Sequence, residues 1–186
     1  MQPVAKIATG LVLVFGAVRF NGFDLLFDPV GWALCVAGLD QLRRSDRDLP
    51  GRAMLVAVVM IFVSLFATLA VPAITEESMA TQVIGLANGG GGLVAVWLIT
   101  DAVIQRLRGH GDVARVARLD VLRWAVAGLG AIVMLAERGD AVLGDVVLIG
   151  WLSAVVVLVV VFYRWAGLPC LAAVRRPATE SDKPVP

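Results

Sequence analysis

The residues able to do chemistry in this 186-residue chain are few and scattered. His110 is the single histidine, and Cys35 and Cys170 are the two cysteines, so the spaced Cys, His and carboxylate ligands of a zinc centre are missing. Neither HExxH nor GxSxG occurs, which removes the metalloprotease and serine-hydrolase signatures. No set of His, Asp, Ser or Cys points to a nucleophile with its base. The expectation is a protein that is not an enzyme, with no catalytic residue, no metal and no cofactor.

Three groups of residues remain. Arg19, Asp24 and Asp28 crowd the facing ends of two short apolar runs. Charges so near hydrocarbon are usually paired, so Arg19 is expected to pair with Asp24 or Asp28 and clamp a hairpin. The sharper alternative makes Asp24 or Asp28 an ion- or proton-binding carboxylate at an outward-facing mouth. The second group is Asn88-Gly89-Gly90-Gly91-Gly92. Gly90-x-Gly92-x-x-Ala95 satisfies a loose dinucleotide pattern, but no strand precedes it and no Lys-Ser/Thr follows, so a phosphate cradle is rejected. Two readings are left. Gly85, Gly89 and Gly92 form a small-residue face for a neighbouring helix, or the helix breaks near mid-membrane and turns Asn88 and the glycines toward a cavity. The third group is Arg115 and Arg118, which accompany Val113, Val116 and Leu119 at a spacing of three. That pattern reads as a short basic amphipathic helix at a membrane surface, either an ordinary positively charged loop or a site for lipid headgroups.

The composition says what kind of element must carry these groups. Hydrophobic residues make up 59% of the chain and charged residues 17%, with 19 glycines besides. Soluble domains hold about 45–50% apolar residues with glycine included, and disordered chains hold fewer still. Two cysteines exclude a disulfide scaffold. The net charge of +1 offers nothing to a nucleic acid. The class that remains is all-α, a polytopic bundle of membrane helices. A span needs about 20 apolar residues to cross about 30 Å of hydrocarbon. The apolar runs, extended to charges that can reach the interface, predict six transmembrane helices at about 4–21, 26–42, 53–74, 79–102, 119–137 and 145–164. Four is the alternative, with the first hairpin re-entrant or at the surface. No small-x-small cleavage site follows the first run, so it is expected to be retained. Residues 1–174 form one transmembrane domain, and the proline-rich, polar stretch 175–186 is expected to be a disordered cytoplasmic tail.

Basic residues orient the bundle. With the N-terminus in the cytoplasm, the inner segments hold Lys6, Arg43, Arg44, Arg47, Arg52, Arg106, Arg108, Arg115, Arg118, Arg123, Arg164, Arg175, Arg176 and Lys183, leaving only Arg19 and Arg138 outside. This bias predicts that both termini are cytoplasmic. Trp97, Trp124, Tyr163 and Trp165 fall toward the inner interface, and Trp32 and Trp151 toward the outer third. Gly109-His110-Gly111 interrupts the chain and Asp112 can cap the helix that follows, as Asp28 can ahead of Pro29.

The stretch Asn21-Gly22-Phe23-Asp24-Leu25-Leu26-Phe27-Asp28-Pro29-Val30-Gly31-Trp32 resembles the early hairpin of a group of small bacterial multi-span membrane proteins with no assigned function. Phe27 stands where that pattern has proline. The resemblance implies an uncharacterised multi-span protein of the bacterial cytoplasmic membrane and carries no catalytic residue. Arg138, Gly139, Asp140, Asp145 and Gly150-Trp151 faintly echo Arg19, Gly22, Asp24, Asp28 and Gly31-Trp32. The function expected first is a structural or accessory component that packs against other helices, its partners being the bilayer and a second copy or other membrane proteins. The alternative is a small oligomeric transporter or channel that uses Gly89–Gly92 and the outer acids.

Overall fold

Apolar segments that meet hydrocarbon must satisfy their own N–H and C=O groups, and the helix does so within one segment. A computed structural model describes residues 2–16, 27–45, 51–70, 79–136, 141–168 and 171. Among them are six helices and no strand: α1 (Pro3–Phe15), α2 (Phe27–Ser45), α3 (Arg52–Ala70), α4 (Met79–Gly109), α5 (Val113–Ala136) and α6 (Ala141–Trp165). The six expected helices are all present. Four of them contain stretches long and apolar enough to cross a membrane, namely Arg52–Leu69, Gln82–Gly109, Val113–Ala136 and Gly144–Trp165. Of the first hairpin, α1 is apolar but has 13 residues, about 20 Å of helix. Its partner α2 carries Asp28, Asp40, Arg43 and Arg44 within 19 residues.

Several boundaries differ from expectation, beginning with α1, which ends at Phe15 and not near residue 21. α4 continues past residue 102 to Gly109, because Asp101 and Arg106 find partners inside the bundle instead of ending the helix. The basic segment with Arg115 and Arg118 is not a separate surface helix but the first turns of α5. The turn between them is tight. Gly111 adopts φ +75°, the left-handed conformation that glycine reaches without strain. Asp112 then caps α5 by accepting the Arg115 N–H at 3.3 Å. At the start of α2, Asp28 and Pro29 lie within the first turn instead of Asp28 standing before it.

Each helix packs chiefly on its neighbours in the chain, and α6 returns to α1, so the six helices close into an up-and-down ring. α1 and α2 make the tightest seam. A Cβ on Gly10 would lie 2.5 Å from the Gly31 carbonyl oxygen and 2.6 Å from Cys35 Sγ, and one on Gly38 would lie 2.7 Å from the Pro3 carbonyl oxygen. Gly31, Cys35 and Gly38 thus form a small-residue groove into which α1 settles. The ring is closed between α1 and α6 by two contacts. Phe15 meets Trp151 edge to face, with centroids 5.4 Å apart. Thr9 Oγ1 and the Tyr163 hydroxyl are 2.8 Å apart. The Thr9 hydroxyl donates to the Ala5 carbonyl, which leaves Tyr163 as the donor across the seam.

The two ends of the ring differ. At the end where α1, α3 and α5 begin, Ile7, Leu11, Leu39, Leu42, Ile99, Val103, Leu107, Leu119 and Phe162 are buried and fill the interior. Arg106, also buried, donates to the Leu42 carbonyl at 2.8 Å and so serves one of the carbonyls left open near the end of α2. All the described basic residues lie toward this end: Lys6, Arg43, Arg44, Arg52, Arg106, Arg108, Arg115, Arg118, Arg123 and Arg164. The described charges toward the other end are Asp28 and Asp145, both acids.

Candidate functional site

At the acid-bearing end the interior is not filled. A cavity of about 300 Å³ lies there, and every helix contributes to its wall. α1 brings Val14 and Phe15, α2 brings Asp28 and Trp32, and α3 brings Met60. α4 adds Asn88, Gly89, Gly92 and Leu93; α5 adds Gly130, Val133 and Met134; α6 adds Leu148 and Trp151.

The glycines explain why the space exists. Gly89, Gly92 and Gly130 sit where a ring of helices would otherwise project side chains inward. Part of what they vacate is taken by neighbours. A Cβ on Gly89 would run into the Met134 methyl, and one on Gly91 would lie 2.6 Å from Met60 Sδ. At Gly92 the nearest atom is Trp32 Cζ2 at 3.8 Å, so the buried Trp32 indole lies along the helix there. At Gly130 a Cβ would come within 2.8 Å of Trp151 Nε1 and 2.5 Å of Leu93 Cδ2. Flexible thioethers and flat indoles leave more room than interlocked branched side chains do, and the remainder is the cavity.

The lining residues with polar side-chain groups are Asp28, Asn88 and the two tryptophans, Trp32 and Trp151. Trp151 Nε1 is buried and has no hydrogen-bond partner. A buried donor left unmade costs about 1–3 kcal/mol, and such groups normally meet a water or a ligand. Three hydroxyl side chains elsewhere on the helices are not among the lining residues. Ser64 donates to the Met60 carbonyl at 2.6 Å, Thr68 to Ser64 at 2.9 Å and Ser153 to Ile149 at 2.8 Å, each within its own helix.

The residues singled out in the sequence therefore fare differently. Asp28, Asn88, Gly89 and Gly92 come together on one cavity, although they belong to different helices. The helix break does not occur, since α4 runs unbroken through the glycines; side chains, not opened backbone, supply the polar wall. Gly85 joins neither the cavity nor a helix seam, with open space where its side chain would be. Arg19 and Asp24, and with them the expected clamp, lie outside the described residues, as does the tail 175–186. Arg115 pairs with Asp112 and lies over the Trp165 ring at 5.8 Å, and Arg118 is exposed nearby. Both stand on the basic end.

Sequence reasoning missed Met60, Gly130 and Met134, and placed Trp151 only by depth. Trp151 carried one signal, the echo between Gly31-Trp32 and Gly150-Trp151, and both tryptophans do line the cavity, on the two helices that flank α1. Among the described residues no three His, Cys, Asp or Glu side chains gather as metal ligands. Comparison with protein-family models, with curated proteins and with solved structures finds no match to the chain.

Proposed function

We propose that this chain is an integral membrane protein that takes a small solute into a vestibule open at one end, as the binding element of a small transporter. One observation carries the reading: Asp28, Asn88 and the unpartnered Trp151 N–H meet on a single cavity walled by all six helices. The Trp151 N–H is a buried donor that such a solute can meet with an acceptor. Moreover, the small residues that could have served an outside partner are largely engaged within the chain, Gly10, Gly31 and Gly38 in the α1–α2 seam and Gly89, Gly91 and Gly130 under neighbouring side chains. The accessory reading keeps Gly85, Gly90, Gly128 and Gly144, where nothing lies within 4 Å and a second helix has room to approach.

We place the basic end in the cytoplasm, because Lys and Arg are retained on that side, and the vestibule then faces outward. With the bacterial resemblance of the first hairpin, this means a multi-pass protein of the cytoplasmic membrane with both termini inside. The test is the reactivity of Asn88→Cys, in a Cys170→Ser background, toward a membrane-impermeant thiol reagent in intact cells. Cys35 is buried and does not compete. Labelling from outside is the expected result. A cysteine there that reacts no faster than Cys35 rules the vestibule out.

A further inference from the structure

We propose that the vestibule selects a small organic cation, an ammonium compound that also carries a hydrogen-bond acceptor; this rests on the vestibule reading above. The walls are the first reason. Three aromatic rings, Phe15, Trp32 and Trp151, line a cavity of about 300 Å³ together with the Met60 and Met134 thioethers. Indole and phenyl faces attract a cation through the negative face of the ring, most strongly where water is displaced, and thioethers accept its alkyl groups. The volume is at the small end of ligand sites, which suits a compact head.

Charge is the second reason. Among the described residues that line the cavity there is no Lys or Arg, and Asp28 is one of them, engaged elsewhere as well. The described residues at that end carry acids and no bases, with every described base toward the other end. That field draws cations toward the cavity and repels anions.

The remaining classes fit poorly. A metal ion or a hydrated alkali ion needs several oxygen or imidazole ligands, and Asp28 and Asn88 are the only lining residues with side-chain oxygen. A hydrocarbon would leave the Trp151 N–H without an acceptor. A hydroxyl or carbonyl oxygen on the ammonium compound supplies one.

The test uses the full-length chain in lipid nanodiscs, titrated calorimetrically with choline and with 3,3-dimethylbutan-1-ol, which has the same shape and hydroxyl but no charge. Choline is expected to bind at least about tenfold more tightly than the neutral compound. Trp151→Leu is expected to weaken choline by about tenfold, while Trp151→Phe, which keeps a ring but loses the N–H, gives an intermediate loss of about threefold. Equal affinity for the two compounds overturns the proposal, and that comparison needs no variant. So does the absence of choline binding in a protein whose Asn88→Cys form labels from outside, and in that case the vestibule itself stands. An Asn88→Cys form that does not label removes both.

Discussion

Two nitrogen-bearing side chains at opposite ends of the molecule show what burial asks of a polar group. Trp151 Nε1 has no partner; Arg123 Nε has none either, but its two terminal nitrogens are both bonded and its plane lies on a ring. The guanidinium bonds Asp101 of α4 and Asp120 of its own helix, each at 2.5 Å, and lies 4.1 Å from the centroid of Trp97, which in turn meets Trp124 edge to face. Only a planar fork can engage two carboxylates and stack on a ring at once. Arg123→Ala is therefore expected to lower stability by about 1.5–3 kcal/mol, and Arg123→Lys to recover less than half of that loss, read from thermal unfolding in detergent. The two acids are not equivalent. Asp101 is the less exposed and ties α5 to α4, whereas Asp120 is 43% exposed and bridges within one helix. Asp101→Asn should cost about 1 kcal/mol and Asp120→Asn under about 0.5 kcal/mol. Equal losses would mean that the bridge between helices adds nothing to a surface pair. None of this pairing was legible in the sequence, where Asp101 and Arg123 looked like the charged ends of two spans. Their spacing of 22 residues has no meaning until the turn at Gly111 folds α5 back along α4.

At the scale of the helix, glycine does opposite things in different elements. Gly10 lets two backbones touch: an added methyl would lie 2.5 Å from the Gly31 carbonyl oxygen, a rigid atom that cannot give way cheaply. Gly90 has nothing within 4 Å and bears only the usual conformational cost of glycine in a helix. Gly10→Ala is thus expected to destabilise by about 1–3 kcal/mol as α1 is pushed off α2. Gly90→Ala should instead stabilise by about 0.5–1 kcal/mol. A loss of stability from Gly90→Ala would show that its open face is covered in the membrane, which is the result the accessory reading needs. The sequence made the α4 glycines conspicuous because they are consecutive. The seam in α1 and α2 was hidden because Gly10, Gly31, Cys35 and Gly38 lie on two helices, and only their antiparallel register joins them. The helices themselves were legible from apolar length and charge, and so was the turn at Gly109–Asp112, since those signals are local.

Among the described residues the ring is hollow at one end and solid at the other, with the described bases toward the solid end. The charge asymmetry was legible in the sequence because it depends only on which side of each span a residue falls. The cavity was not, because it depends on α6 closing against α1 through Phe15, Trp151, Thr9 and Tyr163, and no periodicity encodes that closure. Both properties make one claim about access from the two sides of the membrane. Reporter fusions at Glu77 and Asp140 should be active outside the cytoplasm, and cytoplasmic activity from either would overturn the six-span arrangement. Along the axis, Asn88→Cys should label from that same outer side only. Ile99→Cys and Leu107→Cys, whose native side chains are fully buried in the solid half, should label from neither. The combination matters more than any single site. A continuous pore would expose residue 99 or 107 to reagent from at least one side, and a fully packed bundle would shield residue 88 as well. A vestibule with a sealed floor is the arrangement that gives reactivity at 88 with silence at 99 and 107. If a solute is carried across, the floor must then open through a second conformation, so labelling at residue 99 that rises with added solute would distinguish a transporter from a receptor built on the same ring.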